Sequence, residues 1–113
     1  MNDQELRDLV RQVPQLRRVL GAEFNLDWDL DHDDAESVYS AVFDDIDERT
    51  RAVYLGEAEL LERALRTDSE VQAFLNDVYS GLAPEQDLGM ALAAWPAALR
   101  RRIEGARRSG APQ

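Results

Sequence analysis

The chain has no cysteine and no lysine, and no apolar run in it approaches the roughly 18 residues that a membrane span needs. Without cysteine, disulfides and thiolate-bound zinc are excluded. Without lysine, all thirteen cations are arginine, a bias that codon composition accounts for without chemistry. There is a single histidine, His32, and neither a nucleophile nor a metal-ligand pattern accompanies it, so nothing marks it as a catalytic base. Glycine-rich phosphate loops are missing as well. These absences point away from an enzyme, and no catalytic residue, cofactor or metal is expected. Residues Met1 to Glu5 lack the apolar core of a secretory signal, so the expectation is a cytoplasmic protein without a membrane partner. A formal charge of -10 argues against a nucleic-acid partner, which demands positive charge.

What the chain does have is concentrated acid. Eleven of its 23 carboxylates lie between Glu23 and Glu48, where there is no arginine, and the other twelve nearly balance the thirteen arginines. The negative charge therefore resides in one stretch. That stretch opens Phe24-Asn25-Leu26-Asp27-Trp28-Asp29-Leu30-Asp31, an apolar–polar alternation. Period two predicts an extended segment, with Phe24, Leu26, Trp28 and Leu30 facing the core and the polar residues facing out. No later run offers a strand partner, so the segment should lie across helices rather than in a sheet.

The rest reads as helix. With 113 residues, 44% of them hydrophobic, the chain fits one domain with one core. The expected fold class is all-α, a bundle of about five or six helices with the extended segment, 24–31, packed on it. Residues 1–108 should form the domain and 109–113 a frayed tail. Apolar spacing predicts a helix over Asp3 to Val13, capped by Asn2 or Asp3, and a second begun by Pro14 and ended near Gly21. A third is expected over Asp33 to Asp47, with Asp33 and Glu36 in capping-box spacing. Asp44, Asp45 and Asp47 would then oppose its dipole. A fourth runs to about Arg66, with Val53, Leu60, Leu61, Ala64 and Leu65 inward and Gly56 at a close crossing. Thr67 to Ser69 supplies a cap for a fifth, closed by Gly81. Trp95, Leu99 and Ile103 mark the last, which ends in the basic group Arg100, Arg101, Arg102, Arg107 and Arg108.

The run from Pro14 to Leu30 resembles a bacterial family, the contact-dependent growth inhibition immunity proteins. These carry a Pro-x-Leu…Leu-Gly-x-x-Phe-x-x-Asp-Trp pattern near the N-terminus, here Pro14, Leu16, Leu20, Gly21, Phe24, Asp27 and Trp28. Within the pattern, Glu23 stands where an aromatic is frequent, and Asn25-Leu26 where His-Gln is frequent. The resemblance implies a small acidic helical cytoplasmic protein that binds and blocks the toxic C-terminal domain of a cognate secreted or surface effector. The family places no catalytic residue on these positions, and its toxin contacts vary with the toxin.

The contact set is accordingly read from the charge map: Asp27, Asp29, Asp31, Asp33 and Asp34, extended by Asp44, Asp45, Asp47 and Glu48. Many such toxins are nucleases, whose clefts must be basic to hold a phosphate backbone. A dense carboxylate surface can steer into that cleft and exclude the substrate. Two alternatives remain open. One is a divalent-cation-binding module over Asn25 to Glu36. A calcium loop counted from Asn25 places Glu36 correctly but puts Leu30 where glycine must turn the chain. The other is an acidic adaptor subunit that packs on a basic protein partner.

Overall fold

The structure, a computed structural model, describes residues 1–106. Among them there is no strand, and the α-helices are α1 (Asp3–Gln12), α2 (Pro14–Arg18), α3 (Trp28–Asp31), α4 (Ala35–Phe43), α5 (Glu48–Ala64), α6 (Asp68–Asp77), α7 (Pro84–Asp87) and α8 (Trp95–Glu104). A π turn, Val19–Glu23, continues α2, and a 3-10 turn, Leu92–Ala94, leads into α8. No helix among the described residues is long and apolar enough to cross a membrane. Arg107, Arg108 and the expected tail, 109–113, lie outside the described residues.

Local chemistry sets the helix starts. Asn2 and Glu5 form a reciprocal capping box on α1, at 2.8 and 3.1 Å, and Thr67 and Glu70 do the same for α6. Pro14 and Pro96 occupy first-turn positions of α2 and α8, where a missing N–H costs nothing. No side chain of Val13 caps α2. Instead Glu57, in mid-α5, accepts from the Leu16 N–H at 2.8 Å and the Gln15 N–H at 3.4 Å. Glu57 is the one charged residue buried among those described. Burial pushes its pKa up, while the two amide donors pull it down.

The third predicted helix is shorter than expected. Its cap is Asp34, one residue later than the capping-box spacing indicated, and α4 ends at Phe43. Asp44 to Asp47 therefore do not oppose its dipole from within. Asp44 is extended, Asp45 takes a left-handed turn at φ 61°, and Asp47 caps α5 by accepting from the Thr50 N–H at 2.7 Å. An acid at the start of α5 is favoured by the dipole it would have opposed at the end of α4. On α5 the inward stripe is Tyr54, Ala58, Leu61 and Leu65, with Glu57 among them, whereas Val53 is largely exposed. Gly56 marks no crossing: a Cβ there would meet nothing within 4 Å.

The largest correction concerns 24–31. Phe24 and Trp28 are buried as expected, but Leu26 and Leu30 are 77% and 81% exposed. The segment is a turn followed by α3, not an extended strand. Asn25 explains this. Its side chain accepts from the Asp27 N–H at 2.8 Å and donates to the Ala22 carbonyl at 3.0 Å, while its own carbonyl accepts from the Trp28 N–H. A side chain bonding the backbone two residues on closes a turn and competes with extension. The turn brings Phe24 and Trp28 together in the core, where their rings meet edge-on.

α5 and α8 make the most extensive helix pair, with Trp95, Leu99 and Ile103 fully buried between layers. A chain of rings runs through the core beside them. Trp28 packs edge-on to Phe24 at 5.4 Å between centroids, Phe24 edge-on to Tyr39 at 5.5 Å, Tyr39 against Phe43 at 5.7 Å, and Phe43 edge-on to Tyr54 at 5.2 Å. The Trp95 indole donates to the Tyr39 hydroxyl at 3.1 Å, and burial pushes that phenol up to about 12. Arg18 donates to the Tyr54 hydroxyl at the far end.

Candidate functional site

The acidic stretch begins where the ring chain begins. Phe24 and Trp28 anchor it from below, and the loop after α6 anchors it from the side. The Gly81 N–H donates to the Phe24 carbonyl at 2.6 Å, the Ser80 hydroxyl donates to the same carbonyl at 3.2 Å, and the Trp28 indole donates back to the Gly81 carbonyl at 3.2 Å. This approach needs a glycine. A Cβ on residue 81 would overlap the Asn25 carbonyl oxygen and lie 2.9 Å from the Leu26 Cα. Gly21 makes a similar approach, where a Cβ would sit 2.8 Å from the Val78 carbonyl oxygen. Gly81 thus does not stop α6. That task falls to Tyr79, whose φ is 59°.

On this clamped base stand Asp27, Asp29, Asp31, Asp33 and Asp34, all exposed. Among the described residues, Asp27, Asp29, Asp31 and Asp33 make no side-chain hydrogen bond or ion pair. Asp34 accepts from both the N–H and the hydroxyl of Ser37 at 2.8 Å, which holds its carboxyl below the usual carboxylate range. The five carboxylates therefore sit within eight consecutive residues, with no arginine among them and the buried Phe24 and Trp28 beneath. At such density the local potential is negative and attracts cationic surfaces.

The other four residues of the predicted set lie across α4. Nine residues of helix separate the two groups, about 14 Å at the standard rise. Asp44 points inward, with a side chain only 8% exposed. Arg102 of α8 holds it through two bonds of 3.0 Å, and holds Glu36 at the start of α4 through bonds of 2.9 and 2.8 Å. One guanidinium thus ties both ends of α4 to α8, and the four bonds raise the Arg102 pKa. The charge of Asp44 is neutralised within the fold. Asp47 caps α5, which lowers its pKa, and Glu48 pairs with Arg51 at 3.0 Å. Asp45, Asp47 and Glu48 remain at the surface. The basic end is likewise engaged: Arg100 pairs with Glu62 and Glu104, and Arg51 donates to the Glu104 carbonyl. Among the described residues, no three carboxylate or histidine side chains converge closely enough to hold a metal ion.

Three exposed apolar residues escape a reading of the sequence: Leu26 and Leu30 in the acidic segment, and Tyr79 in the loop that clamps it. The alternation around Leu26 and Leu30 mimicked a strand. The signal against it was the pair Asn25 and Asp27 at turn spacing, with the rings of Phe24 and Trp28 four apart. Nothing in the sequence distinguishes Tyr79 from a buried helix-end aromatic.

The chain matches no protein-family model, no curated protein and no solved structure.

Proposed function

We propose that this chain is an immunity protein of a contact-dependent growth inhibition system, which binds the toxic C-terminal domain of a cognate effector and neutralises it without chemistry of its own. The observation that carries the proposal is the set Asp27, Asp29, Asp31 and Asp33: exposed carboxylates without side-chain partners among the described residues, on and just after a turn tied to the core through Trp28. A protein gains nothing in fold stability from unpaired like charges at this spacing, since they repel one another. They gain energy from a basic partner. A nuclease domain is such a partner, because its cleft must hold a polyanion. Carboxylates seated in that cleft neutralise the same cations that the substrate requires, so occupancy alone inhibits.

Fixing the carboxylates beforehand raises their effect. Asn25, Gly81 and Trp28 settle the backbone before encounter, so little conformational entropy is lost on binding. The test is co-expression with the C-terminal domain of a large secreted effector encoded immediately upstream, the gene context that the proposal requires. Growth arrested by that domain should be restored by this protein and by no unrelated acidic protein of equal charge. Persistent arrest would remove the immunity reading, and rescue by any acidic protein would leave only non-specific charge.

A further inference from the structure

Five large apolar side chains stand exposed among the described residues, and three of them, Leu26, Leu30 and Tyr79, lie on the two segments that Gly81 joins. Scattered surface leucines need no explanation. These three lie on two segments that hydrogen-bond to each other. Leu26 and Leu30 flank Trp28 in the turn and α3, and both face solvent while Trp28 faces the core. The loop carrying Tyr79 is hydrogen-bonded to the same turn through Ser80 and Gly81.

Tyr79 adds an observation of a different kind. It follows the last turn of α6 in the left-handed region, with its N–H donating to the Asn76 carbonyl and the Ser80 N–H to the Leu75 carbonyl. This is the helix-ending geometry in which glycine is strongly favoured, because a Cβ is strained there. Here the position holds a large aromatic residue that is 80% exposed and so contributes little to the core. The fold bears the strain and receives no burial in return. Strain retained at an exposed aromatic fits a contact made with another molecule. Tyrosine is also among the residue types that dominate protein interfaces.

We propose that Leu26, Leu30 and Tyr79 are the apolar anchors that seat the partner, and that the partner is a basic protein with an apolar hollow inside its positive surface. This rests on the immunity reading for the partner's identity, with the anchors placed by exposure and backbone geometry. The charge around them states the chemistry. Asp27, Asp29, Asp31, Asp33 and Asp34 surround the two leucines in sequence, so an apolar pocket that accepts them must be rimmed with cations. Tyr79 borders a groove of about 410 Å³ lined also by Arg17, Arg18, Gly21, Ala22 and Val78. The partner therefore meets negative charge on the leucine side and positive charge on the tyrosine side, which gives the complex one orientation. Steering comes from the carboxylates, and residence time from the three anchors.

The experiment is calorimetric titration of the effector's C-terminal domain with the wild-type protein, with Tyr79→Gly, and with Leu26→Ser/Leu30→Ser, each variant also being thermally unfolded. Tyr79→Gly should raise the melting temperature and yet weaken binding at least tenfold, as loss of an interface anchor does. A merely structural tyrosine could not give both results. The leucine pair should leave the melting temperature unchanged and weaken binding at least tenfold. Wild-type affinity in both variants would overturn the anchors while leaving the immunity reading in place. Failure of the wild-type protein itself to bind would overturn both.

Discussion

Gly81→Ala is expected to cost about 2–4 kcal/mol and to lower the melting temperature by roughly 10 °C or more. The added methyl overlaps the Asn25 carbonyl oxygen and crowds the Leu26 Cα at 2.9 Å. Those atoms are backbone, so no rotamer change relieves the contact. The loop after α6 must move away, and with it go the Gly81 N–H bond to Phe24 and the Trp28 indole bond to Gly81. The damage falls on the clamp beneath the acidic turn, so binding to the proposed toxin partner should weaken along with stability. Gly56→Ala is the control. It lies inside α5 with open space around it, and the change should add about 0.5–1 kcal/mol. Denaturant unfolding of the two variants checks both signs. Equal, small effects would mean that the 24–26 turn and the 80–81 loop do not touch.

Arg102→Met is expected to cost about 2–4 kcal/mol, below the full value for a buried pair because Glu36 is 58% exposed. The side chain of Arg102 is 16% exposed and that of Asp44 8%, so most of the loss arises at Asp44, where a carboxylate is left in poorly solvated surroundings. Its nearest remaining donor among the bonds described is the Ser40 hydroxyl at 2.8 Å. Adding Asp44→Asn to Arg102→Met should recover part of the loss, since the Asp44 charge is removed along with the Arg102 charge that it offsets. A double-mutant cycle by chemical denaturation measures this coupling. Independent, additive effects of the two changes would contradict the clamp between α4 and α8.

The helices were legible where side chains in one local stretch decide them. Asn2, Pro14, Thr67 and Pro96 act within a turn of themselves, and the Trp95, Leu99 and Ile103 stripe has a single period. What the sequence could not show was set by contacts between distant residues. Glu57 caps α2 from more than forty residues away. Gly81 reads as a helix stop by composition, but its function is a close approach to Asn25. The segment 24–31 satisfied two periods at once, and Asn25 decided between them through a turn that needs only its own side chain. The acidic character of the surface was legible as charge, because charge adds along the chain without reference to fold. Its division was not: only the position of Arg102 shows that Asp44 turns inward.

The proposed immunity function requires Asp29, Asp31, Asp33 and Asp34 to act as an electrostatic docking surface, and the direct measurement is the association rate with the C-terminal domain of the proposed effector over a range of salt. The comparison is with a variant in which all four are replaced by asparagine. In the Asp34→Asn change the side-chain amide oxygen can still accept from the Ser37 N–H, so α4 keeps its cap and the fold should be unchanged. The wild-type rate should fall steeply as salt rises, while the variant should associate at least about tenfold more slowly at low salt and depend little on salt. Equal rates with equal salt dependence would show that these carboxylates do not guide the encounter.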